Sequence, residues 1–315
     1  MQNNGKYPPD KGFILIAVLW ITALLAMFAL YYSSSARVQA LQAMNTEKWL
    51  MNAHLLQSGL DWGYHEYTKY MANQSLMENK EELEEYSGQT LDLKYPRQEP
   101  YIMTAGNHTV AVQIIDLSGK ISISAVDDVL LQDILSACGL EEGVEQTTVI
   151  NSILDWIDQD DMHRQEGAEE DYYLGLDPPY SPKNGDIESI EELLLIKGID
   201  RDLFQGTKDK PGLRDFLTVY GEHNTMDINS AAPGTFLIIE DFPLDVVQDI
   251  ITYRNQDRIE KMADIADIVP FEEFGELQEY FSVQSSEYIE VVARMTTDQG
   301  EMGQSMRTFY QTGGS

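Results

Sequence analysis

The sequence predicts an α+β fold: a transmembrane helix at the N-terminus runs on into an α/β domain, and a large all-α segment is inserted between that domain's strands. Three observations carry this expectation. No charged residue occurs between Phe13 and Ala36. An apolar stripe at helical spacing follows. Two strand-like regions, near 101–124 and 281–315, then flank a segment of helical periodicity. Strands need partners, so the flanking regions belong to one sheet and the segment between them is an insertion.

The uncharged stretch 13–36 has 24 residues. As helix it is roughly 36 Å long, against a hydrocarbon core of about 30 Å. Ahead of it lies the polar segment MQNNGKYPPDKG, ending in Lys11-Gly12. Three fates are open. The apolar run is a secretory signal cut near Ser33-Ser34-Ser35-Ala36, an uncleaved anchor, or the start of the mature chain after a cut behind Gly12 that exposes Phe13. Lys6 and Lys11 against Asp10 make residues 1–12 net positive by one, which places the N-terminus on the cytoplasmic side before processing. Removing that +1 from a chain of −32 leaves −33. Beyond the span, Ala53, Leu56, Leu60, Tyr64, Tyr67 and Met71 repeat every three or four residues, and no proline interrupts 10–95. One long helix is expected, packing through that stripe; Gly59 and Gly63 weaken it by about 1 kcal/mol each relative to alanine.

The chain of 315 residues carries 53 acidic and 21 basic side chains. Phosphate binding needs clustered Lys and Arg, so this charge argues against nucleic acid as a partner and towards cations. The single cysteine, Cys138, sits in an apolar stretch and reads as a small buried hydrophobe rather than a nucleophile. Enzyme motifs do not gather. His54, His65, His108, His163 and His223 form no H-E-x-x-H, and there is no G-x-S-x-G, phosphate loop or C-x-x-C, so no enzyme is expected.

Residues 75–99 are highly charged and end at Pro96 and Pro100, a helix end followed by a loop. Val110, Val112 and Ile114 alternate with polar or small residues. Leu117-Ser118-Gly119-Lys120 reads as a turn and Ile121–Ser124 as the returning strand of a hairpin. The boundaries expected are 37–124 for the extramembrane helix and first strands, 125–280 for the insertion, and 281–315 for strands that complete the sheet. Within the insertion two similar helical units stand at about 187–220 and 227–275, one turning at Lys197-Gly198-Ile199-Asp200 and the other at Phe242-Pro243-Leu244-Asp245. They resemble the helix-hairpin-helix or SAM-like module. Asp200 replaces the second glycine of the phosphate-binding turn of that module, and the surroundings are acidic, which disfavours DNA.

Residues 155–173, DWIDQDDMHRQEGAEEDYY, crowd Asp155, Asp158, Asp160, Asp161, Glu166, Glu169, Glu170 and Asp171 together. Such a run repels itself unless a cation lies within it or water solvates it. Calcium takes six to eight oxygens, and a loop can supply them. Asp158, Asp160 and Glu169 fall at positions 1, 3 and 12 of the EF-hand template, but Met162 and His163 stand at 5 and 6, where the template wants a ligand and glycine. The candidate ligands are Asp158, Asp160, Glu169, Glu170 and Asp171, with Asp161, Asp227 and Asn229 as further oxygens. Asn229 or Ser230 also reads as the N-cap of a following helix.

A Gly-Phe junction, an apolar span and a long unbroken helix resemble the type IV pilin and pseudopilin superfamily. That resemblance implies cleavage after Gly12 by a prepilin peptidase and N-methylation of Phe13. Superfamily members usually carry Glu at the fifth mature position, where this chain has Ala17. A filament's first subunit has no predecessor whose amine that Glu would meet, so Ala17 fits a tip subunit. The chain is accordingly similar to the protein K family of type II secretion minor pseudopilins. Trp156, Asp158, Asp160, Gly167, Ala168, Glu169 and Tyr172 or Tyr173 resemble that family's signature, and Asp227–Pro233 and the Asp116–Lys120 turn resemble two further segments.

The resemblance implies a pilin-like domain with an all-α insertion that binds structural calcium. It also implies a single-pass inner-membrane protein with a periplasmic body. Its partners would be the other minor pseudopilins and the inner-membrane secretion platform. The alternatives are a membrane-tethered helix-hairpin-helix DNA receptor and a minor pilin of a type IV system.

Overall fold

The computed structural model describes residues 11–77, 100–106, 108–284, 288–296 and 302–311. Residues 1–10 of the expected leader and the charged segment 78–99 lie outside the described residues, as do the side chains of Gly12 and Phe13.

The first helix, α1, runs Lys11–Met77 without a break. Its apolar half presents Leu15, Trp20, Leu25 and Phe28 outward, each more than half exposed. It holds the one span among the described residues that is long and apolar enough to cross a membrane. The other half packs as the stripe predicts, with Leu56, Leu60 and Tyr67 buried and Tyr64 stacked on Tyr310 at 4.3 Å.

The surface it packs on is a four-stranded antiparallel sheet, ordered β1 (Tyr101–Ala105), β2 (His108–Asp116), β7 (Tyr288–Thr296), β8 (Met302–Gln311). Val112 lies opposite Ala293 and Ile114 opposite Val291, so the inward positions of β2 and β7 form one apolar face. The glycines of α1 now have a reason. A Cβ on Gly59 would lie 3.1–3.2 Å from Val110, Val112 and Ala293, and one on Gly63 would lie 2.6 Å from Val291 and 3.0 Å from Val112. The helix accepts weaker local propensity in exchange for close approach to the sheet.

The strands flanking the insertion thus join one sheet, but two expectations change. The hairpin is β1–β2, turning at Gly106 (φ +62°), and not 110–124. The Asp116 carboxylate accepts from Ser118 N and Oγ, fixing a 3₁₀ turn at Leu117–Gly119 that carries the chain off the sheet. Ile121–Ser122 (β3) then pairs in parallel with Leu217–Thr218 (β4). Nor is the inserted segment purely helical: besides that pair, Met226–Asp227 (β5) pairs with Phe281–Ser282 (β6), also in parallel. These two-residue pairs lie at the entrance and exit of the insertion and tie each end to its middle.

Between them are helices Asp128–Ala137, Val144–Ile157, Glu170–Leu174, Arg201–Gln205, Leu213–Phe216, Leu244–Gln256 and Phe271–Tyr280. The opening element of each expected helical unit is a six-residue 3₁₀ turn, Ile190–Leu195 and Pro233–Ile238. Each is followed by a turn with a positive φ, at Gly198 (φ +86°) and at Asp241 (φ +56°). Phe204, Phe216, Phe236 and Phe281 are fully buried in a core separate from that under α1. Arg258 bridges the two bodies, donating to the Tyr70 hydroxyl of α1 at 2.7 Å.

Candidate metal centre

Helix Val144–Ile157 delivers the acidic segment. Its buried face holds Val149, Ile153 and Trp156, and the same face carries Asp155, which has no solvent exposure. Asp158 ends the helix, and the chain loops back to Glu169, which precedes the short helix Glu170–Leu174. The loop is pinned at several points. Trp156 meets Tyr173 edge to face at 5.2 Å, and Lys197 Nζ donates to the carbonyls of Glu166 and Gly167, both at 3.0 Å. Lys197, the cation of the first unit's turn, is therefore committed to this loop. A Cβ on Gly167 would lie 2.0 Å from Asp155 Oδ2, so only glycine lets the loop close over that carboxylate.

Three carboxylates converge: one oxygen each from Asp155, Asp158 and Glu169 lies within 4.8 Å of the others. Asp155 is well satisfied, accepting from Arg164 Nη1 at 2.8 Å, from Arg164 N, and from Ala168 N at 3.0 Å. Arg164 also donates to Asp158 Oδ2. Glu169 is not satisfied. It is 2% exposed, and neither carboxylate oxygen has a hydrogen-bond partner; Asp158 Oδ1 is likewise buried without one. Burial first, and the charges of Asp155 and Asp158 next, push the Glu169 carboxyl up to about 7.

One guanidinium pairs with two of the three carboxylates and leaves Glu169 without a partner. A buried carboxylate with two orphaned oxygens costs several kcal/mol unless protonated or paired with a cation. An all-oxygen donor set of this kind fits a hard divalent cation such as calcium.

Of the expected ligands, Asp158 and Glu169 are brought together. Asp160, Asp161, Glu170 and Asp171 are not in the group: they accept from Met162 N, Asn184 Nδ2, Ser181 Oγ and Tyr172 N respectively. Asp227 and Asn229 are also outside it. Asp227 accepts from Ser230 Oγ at 2.8 Å, and Asn229 bonds both backbone groups of Ile259, each at 3.0 Å. Asn229 and Ser230 do not cap the next helical turn either, because Ala232 is its N-cap. The residue that sequence reasoning passed over is Asp155, which stands three positions before Asp158 on one helix face. Cys138 is buried, as expected, and desolvation pushes its thiol up to about 12, which disfavours the reactive thiolate.

Residues 115–219, which contain this centre, match the family model described as "Type II secretion system (T2SS), protein K". Over that stretch the chain is similar to protein K. That family is a structural component of the secretion apparatus. An Escherichia coli K12 protein named "Putative type II secretion system protein K" is 27% identical over 210 residues, covering 62% of this chain. The chain spans 60% of that relative's length. The protein K of Pectobacterium carotovorum subsp. carotovorum is 37% identical over 65 residues, 21% of this chain and 20% of its own length. A crystal structure of the GspK-GspI-GspJ complex from enterotoxigenic E. coli aligns with a TM-score of 0.46 at 18% identity, covering 82% of this chain and all of that one.

Proposed function

We propose that this protein is the tip subunit of a type II secretion pseudopilus: a minor pseudopilin, anchored once in the inner membrane with its body in the periplasm, and without catalytic activity. The observation that carries the reading is the unbroken helix α1, apolar and exposed in one half and packed on a sheet in the other, in a chain whose residues 115–219 match the protein K family. An exposed apolar half has no stable place in water, whereas lipid and neighbouring subunit helices cover it.

The prepilin peptidase would act after Gly12, and the other minor pseudopilins and the secretion platform are the partners. The units at 187–220 and 227–275 serve in this reading as SAM-like packing modules, not as a DNA surface. Mass analysis of the native protein is expected to find N-methylated Phe13 as its first residue. A first residue at or beyond position 34 would overturn the reading. Ala17→Glu adds a carboxylate that a first subunit has no partner amine to meet, so it is expected to reduce secretion. Secretion at the parental level would remove the tip assignment.

Asp155, Asp158 and Glu169 would hold a structural calcium ion. Bound there, it supplies positive charge that neutralises the converging carboxylates. Calcium at a hundredfold excess over its dissociation constant is expected to stabilise the folded body by about 2.7 kcal/mol. Glu169 sets the pH dependence. Its folded carboxyl titrates near 7, above the ordinary carboxylate value, so the stability it contributes in chelator is present at low pH and lost as pH rises through 7. Calcium takes the place of that proton. The calcium-induced rise in melting temperature is therefore expected to be larger at pH 8 than at pH 5.5, and an equal rise at both would contradict it.

A further inference from the structure

A cleft of about 880 Å³ lies between the sheet face turned away from α1 and the inserted segment. Its sheet wall is built by the outward positions of β7 and β8, including Glu290, Arg294 and Arg307; Arg214 and Glu191 line it from the insertion. The chain as a whole has 53 acidic against 21 basic side chains, yet four of each line this cleft.

The acids there are already committed. Glu191 and Glu290 both pair with Arg307, Asp215 caps Gly212 N, and Asp116 caps Ser118. Two of the cations are not. Among the described residues neither Arg214 nor Arg294 makes an ion pair, and the Arg214 guanidinium lies over the Phe204 ring at 5.9 Å. Lys120 Nζ donates to the carbonyl of Arg214 at 2.8 Å, and desolvation pulls its ammonium below the usual lysine range. Uncommitted cations in a large recess are the chemistry that recognises carboxylates, since the guanidinium fork matches a carboxylate's two oxygens.

We propose that this cleft binds the carboxylates of an acidic, extended peptide segment of a partner protein, with Arg214 and Arg294 as the recognising cations. The volume suits several residues rather than a lone anion. The acidic exterior repels such a segment from other surfaces, but at physiological salt that field decays within about 8 Å, so the local cations decide inside the cleft. The proposal does not depend on the secretion role.

The test uses the full-length chain in detergent micelles and fluorescein-labelled hexaglutamate and hexaglutamine, read by anisotropy at 50 mM NaCl. Saturable binding of hexaglutamate alone is expected. It should be at least tenfold weaker in R214Q/R294Q and unchanged in R201Q, whose arginine is exposed on another helix. Free citrate should compete only at much higher concentration. The proposal is overturned by absent binding, by binding that survives R214Q/R294Q, or by citrate binding as tightly as the peptide. Because neither arginine makes an ion pair, the double variant should keep its melting temperature. Should it melt early, a photoreactive hexaglutamate on the wild-type chain decides instead. Adducts on 288–311 or 229–233 support the cleft, and adducts confined to other residues refute it.

Discussion

Gly63→Val is expected to destabilise the packing of α1 on the sheet by about 3 kcal/mol, the upper end of the usual cost of overpacking. The position has no room: a Cβ alone would come within 2.6 Å of a Val291 methyl. Val291 is fully buried, and a β-branched side chain has few rotamers to retreat into. The gain from removing a helical glycine, about 1 kcal/mol for alanine and less for valine, is too small to compensate. Chemical denaturation followed by Trp62 fluorescence reads the effect, since Trp62 sits against Tyr101 at 5.0 Å. Val291→Ala opens space at the contact, so the double variant should lose clearly less than the two single losses added. Strict additivity would mean that the two residues do not meet.

The second large effect separates two neighbouring carboxylates by sign. Asp155→Ala removes the acceptor for Arg164 and for Ala168 N, leaving a buried donor unpaired and the exposed Arg164 guanidinium held by Asp158 alone. It is expected to cost about 3–5 kcal/mol in calcium and in chelator alike. Glu169→Gln removes a buried charge that no hydrogen bond satisfies. In chelator above pH 7 it is expected to leave stability unchanged or raised, while abolishing the response to calcium. Paired melting curves with calcium and with chelator check both. A Glu169→Gln protein that still gains from calcium would dismiss the centre.

What was legible in the sequence follows from which signals are periodic. The stripe from Leu56 to Met71 repeats at helical spacing over many turns, and β7 places Ile289, Val291, Ala293 and Met295 at alternate positions, so both elements stood out. The parallel pairs Ile121–Ser122 with Leu217–Thr218 and Met226–Asp227 with Phe281–Ser282 are two residues each and carry no period. The hairpin was misplaced because Leu117-Ser118-Gly119-Lys120 has turn composition, while the capping by Asp116 that redirects the chain is a three-dimensional fact. In the acidic loop, composition marked the region and not the members. Glu169 was legible, but Asp155 reads as part of a helix. Its role depends on Gly167 and Ala168 folding back over it, twelve and thirteen residues later.

The length of α1 has an electrostatic consequence. In the proposed anchored state, fifteen steps of about 1.5 Å separate Arg37, the first charge beyond the apolar run, from Asn52, whose side chain meets Gln304 of the sheet, and hold the body roughly 22 Å from the lipid boundary. At physiological salt that stand-off exceeds two screening lengths of about 8 Å each. A body this anionic can therefore sit above negatively charged headgroups almost free of their repulsion, and shortening the stalk by two or three turns would bring the two fields into contact.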